Sequence, residues 1–334
     1  MSALIESTLG RDVAEQFCRA AVGLYPIGAC NTFKLLSDSE NHTYMIKVDG
    51  ERYVVRVHRP GYHTQQEIQS ELDWMDALSE SGIQVPVPRK GVNGLALQKV
   101  SLGGDLGDRF VVLFEWIDGQ EPDGEHLLSN FERLGAITAS LHNHSKSWVK
   151  PSSFKRMVWD HETMVGINSH WGNWREAPYL SVEGVRVISE AMASVRHSME
   201  AYGKSESRYG LIHSDLRLAN LLLQGDETKL IDFDDCGFSW YMHDLASAVS
   251  FVEDHKDLPI WIEKWIAGYS KVGSLTQEDL AIIPALVMQR RIQLLSWFSS
   301  HADTMLAEQL GEAWIKSTVS LAIDYLSGRY LRSL

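Results

Sequence analysis

The stretch Leu211 to Asp235 reads LIHSDLRLANLLLQGDETKLIDFDD. Leu221 to Leu223 and Leu230-Ile231 are apolar and flank the turn signal Gly225-Asp226, which predicts a short pair of strands. His213-x-Asp215 precedes the first strand, and Asn220 stands five positions after Asp215. Asp232 closes the second strand, with Asp234 and Asp235 just beyond. Pairing of the two strands brings Asn220 and Asp232 together. A lone His-x-Asp carries little information; the ordered set on apolar strands is far more specific.

These residue types in this order suit phosphoryl transfer. One carboxylate must orient the attacking hydroxyl and accept its proton, and Asp215 fits that task. A second carboxylate and a neutral oxygen must hold Mg2+ against phosphates, and Asp232 and Asn220 fit those tasks.

Outward from this stretch the chain changes character. Thr43 to Val48 and Tyr53 to Val57 read as strands joined by Asp49-Gly50, and Glu67 to Leu78 has helical spacing at Ile68, Leu72, Met75 and Leu78. Leu95 to Val100 and Phe110 to Phe114 form another expected strand pair, and Trp116 to Gly124 is a turn-rich connector. Beyond it, 127–144, 182–202, 242–255, 258–272 and two long segments within 276–326 predict amphipathic helices. His142-x-His144, near the end of one of them, reads as a surface pair.

The chain has 334 residues, a length suited to two domains or lobes. Its net charge of −13 argues against a nucleic-acid partner, since phosphate binding wants clustered Lys and Arg. No apolar run reaches the ~18–20 residues needed to span a bilayer. Three scattered cysteines with no metal spacing suit a reducing compartment, so the expected location is the cytoplasm, with no membrane partner.

The motifs HSDLRLAN at 213–220 and IDFDD at 231–235 resemble those of the aminoglycoside phosphotransferase and choline kinase family, which shares the protein-kinase-like fold. The resemblance covers about residues 33 to 300. It implies an α+β, bilobal fold: a β-rich, nucleotide-binding N-terminal lobe over 1–116, and a mainly helical C-terminal lobe over 117–334 for catalysis and substrate. It also implies Mg2+, ATP as co-substrate and a small-molecule hydroxyl acceptor.

Carried over residue by residue, the resemblance assigns further roles. Arg56, on the strand YVVRV, stands where protein kinases have a lysine, and Glu71 on the next helix is its partner. Arginine keeps the positive charge with a different fork geometry. No G-x-G-x-x-G occurs, so Ser39 and Asn41 in the first turn are the candidates for phosphate contact. The backbone carbonyl of Glu115 and the N–H of Ile117 are the expected adenine contacts. Asp244 buttresses the catalytic loop, and His213 orders it. Substrate candidates are Asp235, Trp240, Tyr241, Trp171 and Trp174, the aromatics suiting an apolar or cationic group.

Two other readings keep the fold. A protein Ser/Thr kinase needs a long activation loop, and only Cys236 to Met242 separates the metal motif from HDLA at 243–246. A nucleotide-binding module without transfer activity conflicts with the complete set Asp215, Asn220 and Asp232. The acceptor stays open among aminoglycoside, homoserine, choline, sugar and hydroxylated amino acid.

Overall fold

The protein is described by a computed structural model covering residues 2–30, 32–38, 41–300 and 305–332. It divides into two compact units, Met1–Asp118 with Lys150–Lys155, and Gly119–Val149 with Arg156–Leu334.

The first unit begins with helix α1 (Ser2–Val22), to which the sequence reading assigns no element. Strands β1 (Thr32–Asp38), β2 (Asn41–Val48) and β3 (Glu51–His58) follow, then α2 (Gln65–Glu80), β4 (Leu97–Ser101) and β5 (Asp108–Glu115). The strands form one antiparallel sheet in the order β1-β2-β3-β5-β4. Asp49 and Gly50 both have positive φ, 51° and 92°, as a two-residue hairpin turn between twisted strands demands. Alternation along the strands sends Val55 and Val57 into a core with Phe17, Cys18 and Ala21 of α1. Arg56, between them, therefore leaves by the opposite face. Helix α2 opens with a capping box in which Thr64 and Glu67 satisfy each other's backbone N–H groups.

The second unit carries α3 (Leu127–Ser147), β6 (Met157–Val158), α4 (His161–Val165), α5 (Val182–Tyr202), β7 (Tyr209–Ile212), β8 (Leu221–Gln224), β9 (Glu227–Leu230) and β10 (Gly237–Trp240). Helices α6 (His243–Ala248), α7 (Leu258–Tyr269), α8 (Gln277–Ala281), α9 (Ile283–Ser300) and α10 (Met305–Leu326) complete it. β8 and β9 form the expected hairpin, with Gln224 opposite Glu227 across Gly225-Asp226. β10 lies between β6 and β7 in a separate small sheet.

The helix expected over 242–255 is much shorter. It stops at Ala248, and Phe251 sits at φ 72°, a left-handed conformation that no α-helix accommodates. The second long C-terminal helix is interrupted at Gly311, where φ is 58°.

Helices α3 and α7 meet at two glycines. A Cβ on Gly135 would lie 1.9 Å from the carbonyl oxygen of Trp265, and one on Gly268 would lie 1.9 Å from that of Glu132. Each helix thus leans its backbone on the other's, and no side chain can yield to make room. Gly135→Ala should destabilise the protein by about 3 kcal/mol, the upper range for overfilling a close contact. A urea midpoint equal to the parent's would show that the helices can separate without cost.

Candidate active site

Asp215 lies between β7 and β8, 18% exposed at its side chain. Its Oδ1 accepts from Nη2 of Arg290 at 2.7 Å. Its Oδ2 accepts from Nδ2 of Asn220 at 3.1 Å and from Nε of Arg217 at 3.3 Å. Asn220 Nδ2 also donates to the backbone carbonyl of Asp215 at 2.8 Å. Asn220 therefore closes the loop onto its own catalytic candidate.

The loop backbone is fixed from below by Asp244, the fully buried acid in the first turn of α6. Oδ1 of Asp244 accepts from the N–H of Ser214 at 2.7 Å, and Oδ2 from that of His213 at 3.3 Å. Ser247 donates its hydroxyl to the Ser214 carbonyl at 2.6 Å. Ser214 holds φ at 70°, a conformation that costs a non-glycine residue on the order of 1–3 kcal/mol and persists only where its surroundings enforce it. These three bonds do so.

His142 completes the support. Its Nε2 donates to Asp244 Oδ2 at 2.9 Å, and its Nδ1 accepts from the hydroxyl of Tyr269 at 3.0 Å. The expectation of a surface pair at His142-x-His144 is thus corrected. His142 is fully buried because it packs between α6 and α7 as a neutral hydrogen-bond relay. Burial lowers its pKa, against the pull of Asp244. The Asp244 carboxyl is burdened most by desolvation, which raises its pKa, yet the bonds from His142 and Ser214 bring it below the ordinary value.

His213 points the other way. Its ring is fully buried, 4.6 Å from that of Phe233, and its Nε2 meets the Ile231 carbonyl at 3.1 Å. That partner requires the proton on Nε2. The geometry is that of a loop tie, between the Asp215 loop and the end of β9.

The β8–β9 hairpin brings Asn220 and Asp232 to one end. The N–H of Ile231 donates to the Asn220 carbonyl at 3.0 Å, and Asp232, exposed at φ 65°, follows directly. With Nδ2 committed to Asp215, Asn220 keeps Oδ1 as its remaining amide acceptor. An amide oxygen and a carboxylate are hard donors that fit Mg2+. Among the described residues no three His, Cys, Asp or Glu side chains form a metal-ligating group. That pairing suits a cation that takes few protein ligands and completes its shell with phosphate oxygens and water.

Asp234 and Asp235 are used through their backbones. The buried Arg156 guanidinium donates to the carbonyls of Asp234 and Cys236, and Trp159 Nε1 to that of Asp235 at 2.7 Å. The Asp235 carboxylate lies in the electrostatic range of Arg290.

In the first unit, Arg56 and Glu71 meet as a buried ion pair, Nη2 to Oε1 at 2.5 Å, with side-chain exposures of 8% and 0%. The guanidinium also lies 5.1 Å over the Phe114 ring. Glu71 Oε2 has no hydrogen-bond partner among the described residues. Asn41 is buried and its Oδ1 accepts from the N–H of Arg59 at 3.2 Å; Ser39 lies outside the described residues. Glu115 donates its N–H to the Val87 carbonyl at 2.9 Å, and Ile117 lies in the irregular stretch after β5.

The aromatic candidates separate. Trp171 lies 5.3 Å from the guanidinium carbon of Arg290 and so adjoins the Asp215 constellation. Trp240 donates its indole N–H to the Gly203 carbonyl at 2.7 Å, Tyr241 packs 4.9 Å from the His142 ring, and Trp174 is 1% exposed. Those three rings have local partners or lie buried.

Sequence reasoning did not single out Arg290, Arg217, Ser247 or Arg156, and it placed His142 on the surface. The signal for Arg290 is present in IPALVMQRRIQLLSWF, 283–298, where two arginines interrupt an apolar helix.

A model of the phosphotransferase enzyme family, APH, matches residues 32–281. A solved structure of a microcompartment-associated aminopropanol kinase is 38% identical, with a TM-score of 0.88, over 96% of this chain and 99% of that one. The amicoumacin kinase of Bacillus subtilis (strain 168) is 25% identical over 270 residues, 78% of this chain and 77% of the relative. The fold also matches that of the amicoumacin kinase hAmiN in complex with AMP-PNP, Ca2+ and Ami, with a TM-score of 0.77 and 20% identity over 98% of this chain and 97% of that one. The kinase-like α+β fold implied by the motif order is therefore the fold of this chain.

One buried imidazole gives the site a measurable pH signature. His243, fully buried beside Arg290, has no hydrogen-bond partner for either ring nitrogen among the described residues. Burial, aided by Arg290, lowers its pKa to about 3. The unfolded chain takes up that proton near pH 6.5, so the stability present above this value is lost as pH falls towards 3. His243→Leu should remove about 2 kcal/mol of the stability lost between pH 7 and pH 5. Equal losses in parent and variant, measured by urea unfolding at both pH values, would contradict the assignment.

Proposed function

The chain belongs to the phosphotransferase enzyme family, and from that premise we propose that it transfers the γ-phosphoryl group of Mg-ATP to the hydroxyl of a short amino alcohol. The chain is a small-molecule kinase, as are the relatives it resembles over most of its length. The amino-alcohol acceptor rests on the 38% identity to the aminopropanol kinase, which extends over nearly the whole of both chains. Use of ATP with a divalent cation is supported by the amicoumacin kinase complex with AMP-PNP and Ca2+.

The observation that carries the mechanism is the restraint of Asp215. Its carbonyl and carboxylate are both held by Asn220, and the loop before it is pinned by Asp244. A hydroxyl hydrogen-bonded to Asp215 is oriented for in-line attack and has a base for its proton. Asn220 Oδ1 and Asp232 hold the cation, which neutralises phosphate charge when bound. Within the first unit, Arg56, set by Glu71, is the phosphate ligand, and the backbone of Glu115 and Ile117 meets the adenine. The work is done by positioning and charge, which suits a transition state with little covalent demand on the protein. A cytoplasmic location belongs to the same proposal, since Cys18, Cys30 and Cys236 are all free thiols.

ADP release should be fast with aminopropanol and ethanolamine and slow with choline, sugars and an aminoglycoside. A ranking led by an acceptor without a primary amine would sink the amino-alcohol reading. Asp215→Asn should lower kcat by about a thousandfold while Mg-ATP binding by calorimetry stays close to the parent's. EDTA should abolish turnover, and excess Mg2+ should restore it; turnover that survives EDTA would exclude the cation's role.

A further inference from the structure

Arg290 stands in α9, 75 positions from Asp215 in sequence, and its guanidinium is held on every side. Nη2 binds Asp215 Oδ1 at 2.7 Å, Nε binds the Ser250 hydroxyl at 3.0 Å, and Nη1 binds Gln293 Oε1 at 3.1 Å. The Trp171 ring lies 5.3 Å from the guanidinium carbon, and the side chain is only 3% exposed.

A buried guanidinium needs a carboxylate, because an unpaired charge in the interior is strongly unfavourable. The neighbouring Arg291 has its own, Glu253, at 2.6 Å with both side chains fully buried. That second pair also binds Thr318 and the Trp314 carbonyl and so ties α9 to α10. The two consecutive arginines thus divide their tasks: Arg291 joins helices, and Arg290 is paired with the carboxylate that faces the acceptor.

An ionised carboxylate offers about four lone-pair sites. Among the described residues three donors fill them: Arg290 on Oδ1, and Asn220 and Arg217 on Oδ2. We propose that Arg290 is a positioning residue that, together with Asn220 and Arg217, leaves Asp215 a single open lone pair, on Oδ1, as the seat of the acceptor hydroxyl. The inference rests on the reading of the chain as a kinase that uses Asp215.

It specifies the proton's path. The acceptor oxygen forms its bond to the γ-phosphorus as the bond from phosphorus to the β,γ-bridging oxygen breaks. ADP leaves with that electron pair, and the hydroxyl proton passes to Oδ1 and then to water. With Oδ1 already shared with Arg290, Asp215 orients the hydroxyl from one fixed direction.

Removal of Arg290 frees Asp215 to rotate without touching ATP or acceptor. Arg290→Gln should therefore lower kcat on the order of a hundredfold, the scale of a small misplacement of a reacting group, with the KM for ATP and for aminopropanol almost unchanged. Arg290→Lys retains a cation without the fork and should recover part of the loss. Ser250→Ala, which releases only Nε, should lower kcat severalfold and keep the parent's thermal midpoint. That last variant serves as the test should Arg290→Gln fail to fold. A parent that phosphorylates no amino alcohol overturns the proposed function, and this inference with it. An active parent whose kcat is matched by Arg290→Gln, or by Ser250→Ala where Arg290→Gln does not fold, overturns the inference alone. A large rise in acceptor KM at unchanged kcat does the same, since it would make Arg290 a ground-state binding group.

Discussion

The fully buried carboxylate of Asp244 accepts hydrogen bonds from two successive backbone N–H groups and from one imidazole. The loop that carries Asp215 takes its shape from this interaction. Ser214 is held at a positive φ that its own side chain disfavours, and Asp215 follows immediately. An ionised acid in the interior is stable only when its lone pairs are filled by good donors. The demand runs both ways: the loop needs an acceptor, and the acid needs the loop. His142 and Tyr269 extend the chain of bonds into α3 and α7, whose close approach at Gly135 and Gly268 fixes where the imidazole can stand.

The same rule governs the other side of the loop. Asp215 and Arg290 are each the other's counter-charge, while Asn220 and Arg217 fill the second oxygen. The amide of Asn220 can divide two tasks: Nδ2 serves Asp215, and Oδ1 is the oxygen that the proposed function would give to a cation. A carboxylate in that position could do only the second. This is a physical reason for asparagine there. In the first unit Arg56 answers to Glu71 in the same manner, as a charge displaced from a hydrophobic strand face and matched by one on α2.

Much of this was legible in the sequence. The β8–β9 hairpin follows from Gly225-Asp226 between apolar runs, and the β2–β3 hairpin from Asp49-Gly50, because both turns depend on local backbone chemistry. The pairing of Arg56 with Glu71 came from the resemblance to kinases, with the apolar neighbours of Arg56 marking its charge as out of place. Other features resisted. His142 reads as a surface residue from its place near a helix end, and it is buried because two other helices cover it. Helix α6 ends early because Phe251 turns left-handed, which no composition signals. The local partners of Trp240, Tyr241 and Trp174 are equally unsignalled, since each comes from a distant part of the chain or from packing around it.

The sequence by itself determined the candidate set, the ordered His213, Asp215, Asn220 and Asp232 on apolar strands, and the turns that deliver them. Those are short-range facts, set by neighbours within a few positions. Only the tertiary structure decided how the acid is held. Arg290 lies 75 positions from Asp215, and Asp244 lies 102 positions from His142. Their pairing follows from the cost of leaving a buried charge or donor unmatched, and that cost exists only once the chain has closed around it.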